Sequence, residues 1–268
     1  MNKKYTLPLI ISSIFLLTAA LFIYSFSIKE RYSTAHFIQY NSSIAAKEQT
    51  NYTIDLAYFI KKNHKDKISS KNITSIAFKN SKTTLIQSFK LVKSDSSKMY
   101  DIRNISVDVS FPQSGKEKVN YIDINFDDNT HEEYPIGDWN FNISNDNNEE
   151  KLVMSDTFPL VSNDFDGYQF SFTNTTAKDI KVIDVEVDLN ETSLDKQSIM
   201  IDPQQTKKTL IKADIKNNNK FYIIKPKLSY VYDNKIYSYY PFATYYGFLS
   251  MTDDDIKKEV DKTSQDPI

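Results

Sequence analysis

Apolar and polar residues alternate along much of the chain after residue 51, and this two-residue period is the feature that most limits the possible folds. It runs from Tyr52 to Ile60 (YTIDLAYFI), from Ile105 to Phe111 and from Ile183 to Leu189. Strands that alternate in this way have one buried and one wet face, which is typical of antiparallel sheets. No long amphipathic helical pattern separates them, so a parallel sheet with crossover helices is not expected.

A polar run in the middle of the chain, NDNNEE (Asn145 to Glu150), divides the alternating region into halves of similar length. Each half is near the ~100 residues of an immunoglobulin-type sandwich. We therefore predict an all-β fold with two antiparallel β-sandwich domains, immunoglobulin-like or fibronectin-like, at residues 51–147 and 148–250. One larger sandwich with NDNNEE as a loop is the alternative.

Two segments with similar spacing support the division into two modules. Tyr134-Pro135-Ile136 is followed by Trp139, and Tyr240-Pro241-Phe242 is followed by Tyr245. Each follows a turn rich in Asp and Asn. If the similarity reflects an internal repeat, both segments belong to the closing hairpin of the same module.

An uncharged stretch of 20 residues, Leu7 to Phe26, precedes the alternating region. As a helix it would span roughly 30 Å, the thickness of the hydrocarbon core of a bilayer. We predict a transmembrane signal anchor at 7–26, with residues 1–6 in the cytoplasm because Lys3 and Lys4 precede the span. The bulk of the chain would then lie outside the cell membrane. A cleaved signal peptide, giving a secreted protein, is the alternative.

The two ends of the alternating region carry weaker patterns. Residues 27–50 show few strand signals and are expected to form a stalk or linker. Residues 251–268 read as a polar C-terminal tail. Thr252 and Asp255 have the spacing of a capping box there, which predicts a short exposed helix followed by a frayed end.

Composition excludes several functional classes. The chain has no cysteine, which removes disulfides, thiolate metal sites and a lipoprotein anchor. With 4 glycines, Gly-rich phosphate loops are not expected, and a formal net charge of −2 without a basic stripe argues against nucleic acid. His36, His64 and His131 fit no metal or triad spacing. We predict no catalytic residue, cofactor or metal ligand, and no enzyme. Calcium binding by acidic loops such as Asn163 to Gly167 remains open.

The stretch from Tyr232 to Phe248, YDNKIYSYYPFATYYGF, predicts a hairpin that turns at Asp233-Asn234. Its tyrosine-rich face is the more continuous apolar face, so we expect that face to pack in the core. The predicted cross-strand pairs are Tyr232 with Lys235, Tyr230 with Tyr237, and Leu228 with Tyr239.

The residues after this hairpin are the candidate contact surface. Pro241 cannot donate a backbone hydrogen bond, so strand pairing should break there. The aromatic side chains beyond the break either cover the end of a sandwich or form an exposed patch, and such patches mark partner contacts. The candidate contact residues are Tyr240, Phe242, Tyr245, Tyr246 and Phe248.

Together these features predict a single-pass protein of a bacterial cell envelope, with the membrane as one partner through Leu7 to Phe26. The expected role is a non-enzymatic interaction, assembly or accessory module for another, unidentified envelope protein. One alternative is a surface adhesin that binds carbohydrate or peptide through the terminal aromatic residues. Another is an envelope hydrolase with a site built from dispersed acidic residues and histidines.

Overall fold

The computed structural model describes residues 32–70, 72–146, 151–155, 161–190, 192–216, 220–247 and 251–265. Strands dominate these residues, so the all-β prediction is confirmed. In chain order the elements are β1 (Tyr32–Ser33), β2 (His36–Phe37), β3 (Tyr40–Lys47), β4 (Asn51–Lys61), β5 (Lys65–Asp66), α1 (Lys67–Ser70), β6 (Ile73–Phe78), β7 (Leu85–Ser96), β8 (Tyr100–Ser110), β9 (Gly115–Phe126), β10 (His131–Ser144), β11 (Leu152–Met154), β12 (Val161–Ser162), β13 (Gly167–Asn174), β14 (Ile180–Glu186), β15 (Thr192–Leu194), β16 (Ile199–Ile201), β17 (Thr206–Ile215), β18 (Tyr222–Lys225), β19 (Lys227–Tyr232), β20 (Lys235–Tyr239), β21 (Thr244–Tyr246) and α2 (Asp253–Gln265).

The first half of the chain folds into a sandwich with immunoglobulin strand order. One sheet has the order β2-β4-β8-β7, and the facing sheet contains β3-β10-β9-β6. If β2, β4, β6, β7, β8, β9 and β10 are lettered A to G, the sheets read ABED and CFG, which is the immunoglobulin arrangement. β3 is an additional strand that pairs in parallel with β10. The first core lies between these sheets, around the fully buried Trp139.

The second half forms another sandwich with related strand order. Its sheets are β11-β13-β17-β15 and β16-β14-β19-β20. Here β11, β13 and β17 correspond to strands A, B and E, and β14, β19 and β20 correspond to C, F and G. The second core lies between them and contains the fully buried Tyr168, Phe170, Phe172 and Tyr230.

A shared sheet joins the two sandwiches. Three short strands from the second half, β12, β21 and β18, extend the first sandwich's sheet at β3, giving the seven-stranded order β12-β21-β18-β3-β10-β9-β6. β18 and β3 are parallel, with Tyr222 beside Asn41 and Lys225 beside Ile44. The halves are therefore hydrogen-bonded through backbone, and the exact domain boundaries stay a prediction.

Polar side chains reinforce this junction. The Asp188 N–H donates to Ser43 Oγ at 2.8 Å. Asn41, which is fully buried, donates from Nδ2 to the carbonyl of Asn190 at 3.2 Å and accepts that residue's N–H at 3.3 Å. A buried side-chain amide is stable only when it finds such partners. The segment after β14 thus closes onto the first sandwich rather than facing solvent.

The expectation of a stalk over residues 27–50 is wrong for the residues that the structure describes. β2 and β3 lie in this range, and Phe37, Tyr40 and Ile44 are buried in the first core. The reason is that β3 is covered on both faces: seven of its eight residues are buried. A strand buried on both faces lacks the alternation that reveals a half-exposed strand.

Residues 251–265, the described part of the predicted C-terminal tail, are not an exposed tail. The helix and its capping box are confirmed, since the Thr252 N–H donates to Asp255 Oδ2 at 2.9 Å and the Asp255 N–H donates to Thr252 Oγ1 at 3.3 Å. However, Ile256 and Val260 are buried in the first core. These two apolar residues lie four apart and therefore face the same side of α2. This single stripe is enough to dock a helix that otherwise reads as polar.

In β14, the side chain of Ile183 points to the opposite face from the one that the alternating pattern predicts. Ile183 was expected to face inward with Val185, but it is exposed. Val182 pairs with Tyr230 and Asp184 pairs with the adjacent Ser229, so a β-bulge leaves Ile183 as an extra residue between them. A bulge shifts the alternation of faces by one residue, and the simple two-residue pattern cannot reveal it.

The predicted anchor, Leu7 to Phe26, lies outside the described residues. Within the described ranges, no helix combines the length and the apolar character needed to span a bilayer.

Candidate functional site: an aromatic groove beside Phe242

The tyrosine-rich hairpin forms as predicted and positions the chain for the site. Its register matches all three expected pairs, and Asp233 and Asn234 adopt positive φ angles of 50° and 60°. The rings of Tyr230 and Tyr237 stack with centroids 5.6 Å apart in the second core, whereas Ile236 on the opposite face is exposed. This face of the hairpin therefore belongs to the core and offers no ligand platform.

The break at Pro241 is also observed. β20 ends at Tyr239, and the chain then leaves that sheet and enters the seven-stranded sheet as β21, where Tyr246 pairs with Tyr222. The similar segment in the first half behaves differently, because β10 continues through Pro135 with an irregularity before Trp139. Ile136 is buried whereas Phe242 is exposed, so the two segments have different environments.

Two of the candidate contact residues are structural. Tyr246 is buried in the second core, where its ring meets Phe165 at 4.9 Å. Tyr240 is half-buried, and its hydroxyl lies 2.6 Å from Ser144 Oγ. Tyr246 thus packs inside the second core and Tyr240 links the second sandwich to β10 of the first, so both expose little surface.

Phe242 and Tyr245 meet at one groove. Phe242 is 63% exposed, and both residues line a cavity of about 470 Å³ between the sandwiches. On its other side, Phe242 lines a second depression of about 690 Å³. Tyr52 borders both, so we call the two depressions together the Phe242 groove. Phe248, the fifth candidate, lies outside the described residues.

The floor of the groove is the outer face of β4 and β8. Ala57 and Asn104 are cross-strand neighbours there, and Asp55 lies two residues before Ala57 on the same face. Further along the same face, Thr53 and Asp108 are also cross-strand neighbours, and this pair lines the second depression. The first sandwich thus supplies the floor, and the second supplies Phe242 and Tyr245.

Tyrosine hydroxyls fix the walls of the groove. Tyr40 accepts the N–H of Ala57 and Tyr52 accepts the N–H of Ala243, each at 3.1 Å. Tyr245 accepts the N–H of Asp55. Burial raises the pKa of all three phenols, so they are neutral at ordinary pH. Rings anchored at both ends keep their orientation when the groove is empty.

A buried lysine fixes the backbone that carries Phe242. Lys225 Nζ donates to the carbonyls of Pro241 at 2.8 Å and Tyr240 at 3.4 Å, and it lies 5.2 Å from the centre of the Tyr52 ring. Among the described residues it has no carboxylate partner. Desolvation therefore lowers the pKa of Lys225 to about 7.

The polar groups of the groove are mainly acceptors. Asp55 accepts the hydroxyl of Ser106. Asp108 accepts hydroxyls from Thr53 at 2.8 Å and Ser88 at 2.6 Å, and these bonds lower its pKa. Asp95 also lines the cavity, and it accepts the N–H of Ser96 at 2.7 Å.

Asn104 Oδ1 is buried and has no hydrogen-bond partner among the residues that the structure describes. A buried acceptor left without a donor costs about 1–3 kcal/mol. Asn104 lines the groove, so a rotation of its amide toward the cavity would let a donor on a ligand reach this oxygen and recover that cost.

A second cluster could hold a metal ion. Asp123, His131 and Glu133 lie on β9 and β10 with their ligand atoms within 4.8 Å of one another. Lys79 Nζ already contacts Glu133 at 2.5 Å and lowers the pKa of that carboxyl. A divalent ion would have to displace this ammonium group. The sequence did not reveal the cluster, since Asp123 and Glu133 meet only through strand register.

The side chains of the other two histidines, which were not expected to form a site, each make one hydrogen bond to a described residue. His36 Nδ1 lies 2.8 Å from Thr263 Oγ1, where α2 docks on the first sandwich. His64 Nδ1 lies 3.1 Å from the carbonyl of Lys62. Burial lowers the pKa of His36, which favours its neutral form.

Sequence reasoning found Phe242 and Tyr245 but missed the rest of the groove. Pro241 gave the signal, since a break in pairing frees the aromatic residues that follow it. Tyr40 was assigned to the expected stalk. Asp55 and Asn104 look like ordinary solvent-facing residues of alternating strands, and only the folded junction places them opposite Phe242.

No protein-family model matches the chain, and no curated protein matches it. Similar solved structures include a protein of unknown function from Porphyromonas gingivalis W83, at 8% identity over 79% of this chain and 98% of that chain, with a TM-score of 0.23. Domains 5–6 of the S-layer protein SbsC match at 8% identity over 81% of this chain and 96% of that chain, with a TM-score of 0.21.

The D00–D0 domain of intimin matches at 11% identity over 80% of this chain and 99% of that chain, with a TM-score of 0.24. TM-scores at this level carry no argument about function. The immunoglobulin-like description of this chain rests instead on its own strand order and pairing.

Proposed function

We propose that this protein is a non-enzymatic, extracytoplasmic interaction module of a bacterial envelope, held to the membrane by Leu7 to Phe26, and that it contacts its partner through the Phe242 groove. The observation that carries the proposal is the 63% exposure of Phe242 in a groove whose walls are already fixed. A cavity lined by several aromatic rings, with one of them exposed, is typical of a contact surface, whereas exposure alone is not.

Hydrogen bonds hold the backbone on both sides of the Phe242 side chain in place. Lys225 holds the two carbonyls that precede it, and the N–H of Phe242 donates to Met154 Sδ at 3.3 Å. Fixing the backbone in advance lowers the entropy that binding would otherwise cost. Val161, which is also exposed, lines the same cavity and extends its apolar surface.

The shared sheet supports the same proposal. Because β18 and β3 hydrogen-bond along their length, the sandwiches cannot rotate freely about the junction. A groove with its floor on one sandwich and a wall on the other keeps its width only if they are fixed. The seven-stranded sheet supplies that constraint at the groove.

The hydrolase alternative has weaker support. The carboxylates that border the groove, such as Asp108, accept hydrogen bonds that stabilise their ionised form. A general acid needs the opposite, a carboxyl whose pKa is raised toward neutrality. The polar groups described in the groove therefore suit binding better than proton transfer.

Site-specific photo-crosslinking in intact cells tests the contact surface. A photoreactive phenylalanine analogue is placed at position 242 of the full-length chain, with the exposed Ile236 position as the matched control. We expect one discrete crosslinked product from position 242 and none from position 236. Equal labelling at the two positions, or no product from position 242, would contradict the proposal.

The anchor is tested separately. The full-length chain should stay with membranes after carbonate extraction and should be degraded by protease added outside the cells. Deletion of residues 7–26 should release it from the membrane fraction. A carbonate-soluble full-length chain would refute the anchor without affecting the groove.

A further inference from the structure

We propose that the Phe242 groove binds a neutral saccharide chain, an inference that rests on the proposed role of this groove as the contact surface. The ligand class follows from three properties of the groove. Its polar groups are mainly hydrogen-bond acceptors, lysines lie nearby, and its floor is the face of a sheet rather than an edge.

The groove requires a ligand rich in hydrogen-bond donors. Its polar lining includes the carboxylates of Asp55, Asp95 and Asp108 and the unpartnered Oδ1 of Asn104. Ionised carboxylates only accept hydrogen bonds, so the matching groups on a ligand are hydroxyls or cationic nitrogens. This excludes phosphate, sulfate and carboxylate ligands as the main occupants.

Two lysines favour hydroxyls over a cationic ligand. Lys225 Nζ already lies 5.2 Å from the centre of the Tyr52 ring and occupies the place that a cationic ligand would take against that ring. On the floor, Ser106 is the cross-strand neighbour of both Asp55 and Lys90, so Lys90 lies two strands from the acidic side chain, with β8 between them. Neutral hydroxyl donors meet the same acceptors without this repulsion.

Phe242 supplies the apolar part of the match. Its exposed ring stands between the two depressions, and each depression also contains polar side chains. A pyranose ring has a C–H face that packs on an aromatic ring and hydroxyls at its edge. Aromatic faces carry partial negative charge and attract such C–H groups. Sugar units on both sides of Phe242 would place their hydroxyls near Asn104 and Asp108.

A peptide fits the floor less well. Extended peptides usually gain affinity by adding a strand to an open sheet edge. The floor is the face of β4 and β8, whose backbones pair with each other from Asn51 with Ser110 to Lys61 with Tyr100. The face of these two strands therefore offers side chains rather than free backbone groups, and, among the described residues, the edge strands β7 and β12 border the groove only at Gln87, Ser88, Asp95 and Val161. A saccharide needs only side chains, so it is the better occupant.

The test uses the full-length chain in detergent on an array of neutral oligosaccharides, including cellohexaose, laminarihexaose, mannohexaose and chitohexaose, with sulfated and uronic-acid oligosaccharides alongside. We expect binding to at least one neutral oligosaccharide, which titration calorimetry then quantifies. Phe242→Ala should weaken that binding by at least about tenfold, as loss of a central aromatic contact does. Phe242→Trp should restore it, and Ile236→Ala should leave it unchanged.

Asn104→Ala separates a binding role from a structural one. It removes the acceptor that lacks a partner, so it should weaken binding about fivefold or more without lowering the midpoint of thermal unfolding. Binding that survives Phe242→Ala, binding only to charged sugars, or an array without any neutral ligand would each overturn the saccharide proposal. A crosslinked protein from position 242 together with a blank array would leave the proposed function standing and reject the saccharide.

Discussion

Ile223 and Ile224 are neighbours in the chain, yet they are buried in different apolar cores. Both are fully buried, Ile223 in the first core and Ile224 in the second. On β3 they lie beside Ser42 and Ser43. Because successive side chains of a strand point to opposite faces, β18 forms a wall with one core on each side. The two sandwiches should therefore unfold together.

Substitutions at these two positions test that coupling. Ile223→Ala and Ile224→Ala should each lower the free energy of unfolding by about 2–5 kcal/mol, since each leaves a cavity in a packed core. Trp139, the chain's single tryptophan, lies in the first core, so its fluorescence reports on that core alone. In urea, Ile224→Ala should nevertheless lower the midpoint of the Trp139 transition. Ile236→Ala, at an exposed position, should change stability by less than about 0.5 kcal/mol.

An unchanged Trp139 midpoint in Ile224→Ala, with a separate transition visible by circular dichroism, would show that the sandwiches unfold independently. That result would also remove the support that the shared sheet gives to a groove of fixed width.

Gly137 should tolerate no side chain. Its φ is +87°, and a Cβ placed there would lie 2.2 Å from the backbone oxygen of Tyr40. Gly137→Ala should therefore destabilise the protein by about 3 kcal/mol or more, measured by urea denaturation. Gly115→Ala is the milder comparison: its φ of +158° also disfavours an L residue, but its Cβ would meet only the Thr83 methyl at 3.0 Å and no backbone atom, so it should cost less. A comparison variant as damaging as the test variant would refute the steric argument.

At the turn of the tyrosine hairpin, the effect of a substitution on stability should depend on whether the new residue accepts a positive φ. Asn234 is exposed and has a φ of 60°. Asn234→Val should lower the free energy of unfolding by about 1–2 kcal/mol, because a β-branched residue resists the left-handed region. Asn234→Gly should preserve stability. Asn145→Val, at an exposed position without positive φ, controls for the loss of an asparagine, and equal costs at 145 and 234 would reject the explanation.

Lys225 should make stability rise with pH above neutrality. Its pKa is lowered to about 7 in the folded protein and returns to its ordinary 10.5 on unfolding. Between these values the unfolded chain binds more protons than the folded chain, so the free energy of unfolding increases with pH through this window. Below pH 7 both states are protonated and the slope disappears.

Urea denaturation of the native chain and of Lys225→Met, measured at intervals from pH 6 to pH 10, checks this prediction. The difference in free energy of unfolding between the two proteins should change by a few kcal/mol, at about 1.4 kcal/mol per pKa unit. Tyrosine titration affects both proteins and cancels in the difference. A difference that stays constant across the range would mean that Lys225 is not desolvated.

Local chemistry made part of this fold predictable. The hairpin register followed from the Asp233-Asn234 turn, because turn type sets the pairing of the strands it joins. The buried faces of β4 and β8 followed from alternation. β3 escaped prediction because both of its faces are covered, and Ile183 because a bulge shifts the pattern by one residue.

The groove residues likewise divide into those that local sequence could identify and those that it could not. Phe242 could be identified because Pro241 marks a local break in pairing. Asp55 and Asn104 could not, since their role depends on a wall that comes from the other sandwich. Pairings between distant parts of the chain leave no mark in either local sequence.

The pairing of β3 with β18 also has a consequence for the order of folding. During synthesis Asn41 is added to the chain long before Tyr222, the residue beside which it pairs in the folded protein. Until then one edge of β3 presents unpaired backbone groups, which invite wrong strand partners. The side chains of α2 that complete the first core arrive later still. The first sandwich is synthesised first but lacks β18 and α2 until the end of synthesis. We therefore expect its folding to depend on slow pairing between distant segments rather than on stepwise folding of one sandwich after the other.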